Sequence, residues 1–229
     1  MKKRTLLSWS SGKDIAWSLY VLRQQSDIDV VGLFSTVNQE AERVAMHAVR
    51  SELVQQQADS VGLPIQFIPI PYPCSNAEYD NIMAAFIAQV KEQGIDCIAF
   101  GDLYLEDIRK YREKNLEGTG ITPFFPLWGK DTEMLSKEMV KHGLRAIVTC
   151  IDPRIMPSAL AGKEYNTSFL ELIPDNVDPC GENGEFHSFV FDAPIFQEKI
   201  AIRKGEICEH DDLIFVDILP EPRIINCTD

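Results

Sequence analysis

The sequence has no apolar run near the ~18 residues that a membrane-spanning helix needs, and Met1-Lys2-Lys3-Arg4 leads straight into a strand-like segment. Neither a membrane span nor a secretory leader is expected, and the expected location is the cytoplasm. CxxC pairs are missing. The six cysteines stand at 74, 97, 150, 180, 208 and 227, too scattered for a zinc site or a compact disulfide framework, so reduced thiols are expected. Basic charge is scarce: 22 Lys and Arg against 35 Asp and Glu leave a net charge of −13. Affinity for DNA or RNA comes from Lys and Arg neutralising phosphates, so no nucleic-acid partner is expected. Any anionic ligand needs a local exception to this acidity. Two phosphate-binding motifs are also absent. There is no G-x-G-x-x-G, and a Walker A loop fails because Leu7 stands five before Gly12 and Asp14 follows Lys13.

What is present reads as an ordinary globular chain. Its 229 residues are 45% hydrophobic and 25% charged, which suits one compact unit or two small domains with a sizeable core. Apolar runs at 5–8, 29–35, 64–70, 95–100 and 144–150 alternate with helical periodicity at about 13–25, 44–61, 76–93, 105–117 and 131–142. Gly62, Gly94 and Gly143 fall where three of these helices should stop. This is the pattern of an α/β fold with an open, mostly parallel sheet. After Cys150, prolines break the periodicity and β-like stretches follow at 185–192, 200–203 and 213–219. The expected division is an α/β domain over 1–125 and a smaller α+β portion over 126–229, with a boundary as late as 150 also open.

The strongest local signal is Ser8-Trp9-Ser10-Ser11-Gly12-Lys13-Asp14 between the first strand and first helix. A helix N-terminus offers unpaired N–H groups and partial positive charge, and small residues allow an anion to come close. The alternative is a simple Ser-Gly turn. Lys13 favours the anion site, because a cation in the first turn opposes the helix dipole unless an anion sits nearby.

Two further stretches carry candidate chemistry. Gly101-Asp102 follows the fourth strand, where open α/β sheets place ligands, and it leads into a charged helix in which Asp102 and Arg109 are site candidates. Cys180-Gly181-Glu182-Asn183-Gly184-Glu185-Phe186-His187 places Glu185 and His187 two apart, on one face of an expected strand. Such a cluster can orient an amine or accept its proton. The alternative has Glu182 and Glu185 bonding turn amides and His187 on a strand surface. Arg43, His47 and Arg50 share one face if 44–61 is helical, as a substrate contact or a surface stripe, and Trp128 is a candidate for the substrate cleft.

The first loop resembles the S-G-G-x-D-S pyrophosphate loop of the ATP pyrophosphatase branch of the adenine nucleotide alpha hydrolase superfamily, with Ser11 and Ile15 departing from it. The stretches at 101–128 and 180–196 are similar to the diphthine–ammonia ligase family; Asn183 and His187 depart from its diphthamide-forming members, and His187 resembles a bacterial branch linked by gene context to cobalamin salvage. The resemblance implies an enzyme that adenylates a carboxylate with ATP, releases pyrophosphate and forms an amide with ammonia. It implies Ser8, Ser10, Ser11, Gly12, Lys13, Asp14, Ser35, Gly101 and Asp102 at the nucleotide, and Mg²⁺ at Asp14. Lys13, Glu185 and His187 would serve catalysis, and His47, Arg109, Trp128, Glu182 and Gly184 a small-molecule or protein carboxylate. A homodimer stays open. The rivals are an enzyme of cobalamin salvage that makes or hydrolyses an amide, a nucleotide-binding module without turnover, and an RNA-modifying relative, which the acidic charge disfavours.

Overall fold

The computed structural model describes residues 2–40, 43–44 and 49–221. The N-terminal part runs β1 (Lys3–Ser8), α1 (Lys13–Leu22), β2 (Ile28–Asn38), β3 (Arg43–Val44), α2 (Ser51–Val61), β4 (Ile65–Ile70), α3 (Asn76–Glu92), β5 (Cys97–Ala99), α4 (Glu106–Leu116) and β6 (Thr122–Phe124). Strands β4, β2, β1, β5 and β6 lie side by side and parallel, and β3 pairs antiparallel with the last residues of β2. The length of β2 makes this possible: its Ile28-to-Phe34 stretch pairs with β1, and Leu33 to Asn38 pair with β4. The chain builds outward from β1 to β4, then returns to the other side of β1 to add β5. That reversal opens a crevice beyond the C-terminal ends of β1 and β5.

The second part runs α5 (Thr132–Lys141), β7 (Arg145–Ile151), β8 (Glu164–Tyr165), α6 (Thr167–Leu172), β9 (Phe186–Asp192), β10 (Ile202–His210) and β11 (Leu213–Pro220). Its sheet is antiparallel, with β7 paired to β8, β9 and β11, and β10 on the outer edge. The fold is thus mixed α/β, with a mostly parallel sheet and a separate antiparallel one.

Three expectations change. The apolar run at 144–150 is β7 at the centre of the antiparallel sheet, not a fifth strand of the parallel one. A strand buried on both faces reads the same in either setting. The fifth parallel strand is the three-residue β6, too short to show a period. The helix expected from 44 starts at Ser51, after an extended Arg50. Arg43 and Arg50 face each other across an antiparallel bridge, and both pair with Asp217 of β11, at 2.9 and 2.7 Å. His47 lies outside the described residues.

One buried apolar cluster runs through both parts, from Leu7, Trp9 and Leu19 to Val148, Phe189, Val190 and Ile214. A second, with Phe34, Phe86 and Ile98, fills the space between the parallel sheet and α3. No described helix is long and apolar enough to cross a membrane. The described cysteines, 74, 97, 150, 180 and 208, are free thiols.

Candidate active site

The loop after β1 is fastened from three sides. The Trp9 N–H donates to the Phe34 carbonyl at 2.7 Å, and the Trp9 indole N–H donates to Gln57 Oε1 at 2.8 Å. The buried Gln57 amide in turn donates to the carbonyls of Ser11 and Val190. Ser11 has φ +71°, in the left-handed region, and its carbonyl accepts the Val190 N–H of β9 at 3.0 Å. The antiparallel sheet therefore holds the loop against the parallel one.

Helix α1 then begins without a side-chain cap: Gly12 occupies the N-cap position and contributes no hydrogen-bonding side chain. The Lys13 N–H reaches Ser188 Oγ at 3.3 Å. Gly12, Lys13, Asp14 and Ile15 line a cavity of about 400 Å³ in the crevice. Ser8, Ser10, Gly101, Asp102, Glu182, Gly184 and His187 line it as well. Ser35 lines an adjoining apolar cavity of about 310 Å³ with Phe34, Met83, Ile98 and Phe100.

Lys13 is buried. Its Nζ lies 2.9 Å from Asp14 Oδ2, donates to the Cys180 carbonyl, and sits over the rings of Phe186 at 5.0 Å and Tyr165 at 5.7 Å. Burial is the largest influence and opposes its charge, but Asp14, Cys180 and Asp178 together outweigh it and raise the Lys13 pKa. The conflict between Lys13 and the helix dipole is thus met locally, by the adjacent Asp14 carboxylate. Burial raises the Asp14 carboxyl in turn, against the pull of Lys13.

The Cys180–His187 segment closes the cavity from the antiparallel side. Glu182 Oε1 accepts the Leu103 N–H at 2.7 Å, and burial pushes its pKa up to about 7, with the nearby Asp14 and Asp102 adding to the rise. The Tyr104 hydroxyl donates to Asp178 Oδ2 at 3.0 Å, and Asp178 accepts the N–H groups of Cys180 and Glu182. Glu185 precedes β9 and does not share a strand face with His187. Its buried carboxylate accepts the Asp178 and Asn183 N–H groups and the Asn183 amide. Burial, with Lys13 nearby, pushes His187 down to about 4, so its ring is neutral at pH 7.

Gly101 lines the cavity and also lies close against α1. A Cβ there would lie 3.2 Å from the Ile15 nitrogen, so its lack of a side chain lets β5 end against the start of α1. Arg109 turns away from the cavity. It pairs with Glu113 at 2.7 Å and stacks over Trp128 at 4.7 Å and Phe125 at 5.1 Å, and neither Arg109 nor Trp128 lines either cavity.

The carboxylates fit a divalent ion shared with a phosphate. Asp14 Oδ1 and Asp102 Oδ2 are buried without a hydrogen-bond partner among the described residues. The described residues contain no cluster of three or more metal-ligating side chains. Mg²⁺ is commonly bound by one or two carboxylates that leave its other positions to water and phosphate oxygens.

Residues 2–123 match the family model of the diphthamide synthase N-terminal domain, and residues 131–222 that of the diphthamide synthase C-terminal domain. The chain belongs to the diphthamide synthase family. Similar proteins include the diphthine–ammonia ligase of Danio rerio, 28% identical over 74% of this chain and 72% of its own length. The diphthine–ammonia ligase of Bos taurus is 25% identical over 66% of this chain and 58% of its own length. That of Schizosaccharomyces pombe is 33% identical over 40% of this chain and 16% of its own length. The match thus spans under two thirds of the bovine and yeast proteins.

Three residues of this diphthamide synthase family member escaped the sequence argument. Arg112 lines both cavities, Ser188 receives the first helical N–H, and Asp178 organises the 180–184 turn. Arg112 had a readable signal. With Ile108 and Leu116 at i−4 and i+4, it falls on the inward stripe of α4, where a charge is out of place.

Proposed function

We propose that the protein is an ATP-dependent ligase that adenylates a carboxylate and converts it to an amide with ammonia; its relatives are named as ligases that join ammonia. The observation that carries this reading is the N-terminus of α1, whose N-cap residue Gly12 supplies no capping side chain. It opens into a polar cavity at the sheet's switch point, beside an apolar cavity of a size and lining suited to a purine. Phe34, Ile98 and Phe100, with Ser35, would take the base. The N–H groups that follow Lys13 in the first turn of α1 and the hydroxyls of Ser8 and Ser10 would hold the β- and γ-phosphates, and Lys13 would add its charge. Mg²⁺ bound at Asp14, with Asp102 near it, would supply charge neutralisation for the departing pyrophosphate.

The chain's own groups divide the remaining work. The Glu182 link to Leu103 holds the 180–184 turn over the cavity and limits access of water to an activated acyl group. Glu182, with a pKa near 7, suits accepting the proton that ammonia loses on attack. His187 is neutral and orients rather than accepts. Glu185 shapes the turn. The carboxylate substrate, small molecule or protein, enters on the Glu182 and Gly184 side.

The test is to supply Mg-ATP, isotopically labelled ammonium and a panel of carboxylates, and to look for label in an amide. Labelled amide that forms only with ATP supports the ligase. Ammonia release from an amide without ATP consumption contradicts it.

A further inference from the structure

The polar and apolar cavities share Ser8, Ser10, Phe100 and Arg112. Arg112 is the one cationic side chain among the described residues that lines both. Lys13, the other cation of the polar cavity, already has its Nζ on Asp14 and the Cys180 carbonyl. The Arg112 guanidinium lies 4.9 Å above the Phe100 ring, a contact that fixes its plane. Its Nε forms an ion pair with Asp102 Oδ2 at 3.7 Å, too long for a hydrogen bond, and both atoms are buried without a hydrogen-bond partner among the described residues. An N–H and a carboxylate oxygen that are desolvated and paired by charge alone, with neither hydrogen bond made, are costly. They describe a site that a third group completes.

The covalent order of a nucleotide says what that group is. With the base in the apolar cavity and the terminal phosphates at the start of α1, the α-phosphate has to cross the seam between them. We propose that Arg112 binds the α-phosphate and stabilises its charge while the carboxylate attacks, a role that rests on the nucleotide reading above. In that step a carboxylate oxygen forms a bond to the α-phosphorus. The bond from that phosphorus to the oxygen bridging the β-phosphate breaks, and its electron pair leaves with pyrophosphate. Arg112 stays protonated and transfers nothing. Its planar fork suits the equatorial oxygens of such a centre, which a lysine contacts only as a point charge.

The test is calorimetric titration of adenosine and AMP into the full chain and into Arg112→Met and Arg112→Lys, with thermal melts to establish folding. Arg112→Met should keep its adenosine affinity and lose about tenfold or more in AMP affinity, the scale of one charged hydrogen bond. Arg112→Lys should fall between, and serves alone if the methionine variant does not fold. AMP affinity equal to wild type in the variants overturns the assignment. So does an equal loss for adenosine and AMP, which would make Arg112 a wall of the cavity and no more. If the wild-type protein binds neither ligand, the nucleotide reading fails first. If it binds both and the variants match it, only Arg112 is misassigned.

Discussion

The Glu182 carboxylate accepts the Leu103 N–H at 2.7 Å, joining the turn before β9 to the segment that follows β5. Its pKa near 7 and that of His187 near 4 make opposite contributions to stability over the same pH range. Glu182 goes from an ordinary 4.5 to about 7 on folding. Its contribution is therefore full below 4.5 and is lost as pH rises through 7. His187 goes from 6.5 to about 4, so its contribution is full above 6.5 and is lost as pH falls through 4. Melting temperatures of Glu182→Gln should therefore rise from pH 4.5 to 7 relative to wild type, and those of His187→Asn should decline from 4 to 6.5. Superimposable pH curves for the three proteins would contradict both assignments. Amide formation should also increase with pH through about 7 and lose that limb in Glu182→Gln.

Lys13 and Asp14 form a pair with side-chain exposures of 3% and 23%. Removing one partner leaves a buried charge and typically costs about 3 kcal/mol or more. Lys13→Met should lose that much stability in urea denaturation, whereas Lys13→Met combined with Asp14→Asn should recover part of it. Additive losses would show that the two side chains are not coupled.

Ser11 holds a left-handed conformation, and its Oγ is buried without a partner among the described residues. That conformation costs a residue with a Cβ about 1–2 kcal/mol. Glycine relieves it, at roughly 0.5–1 kcal/mol of extra freedom in the unfolded chain. Ser11→Gly should be stabilised by up to about 1 kcal/mol on chemical denaturation. A loss of stability would mean that the hydroxyl contributes to the fold.

Much of the parallel half was legible in the sequence, because its strands and helices differ in period and glycines mark where several helices end. Gly62 follows α2 at φ +70°, the left-handed stop expected of it. The loop at 8–14 and the turn at 181–187, which line the polar cavity, stood out in the sequence because small residues crowd around charges. Contacts between distant segments were not. Nothing local ties Asp217 to Arg43 and Arg50, and their ion pairs accompany a bridge in a stretch that reads as helix. Strand β10 is mostly exposed along Ile202–His210, so it shows little apolar alternation. Lys13 looked like a cation awaiting a ligand because adjacency in sequence did not reveal that its Nζ folds back onto Asp14.

The net charge of −13 and the carboxylates of Asp14, Asp102 and Glu182 at one cavity make metal removal informative. Chelating Mg²⁺ should weaken ATP binding at least about tenfold, roughly 1.4 kcal/mol. Asp14→Asn should bind metal-free ATP more tightly than wild type does, since an opposing charge is gone. Equal ATP affinity with and without Mg²⁺ would remove the metal from the account.

The most direct test of the central claim is which phosphoanhydride bond breaks, read by phosphorus NMR on a reaction with ATP, Mg²⁺, ammonium and a carboxylate that supports turnover. Attack at the α-phosphorus yields AMP and pyrophosphate in equal amounts, and this is the result expected. ADP and inorganic phosphate would contradict it.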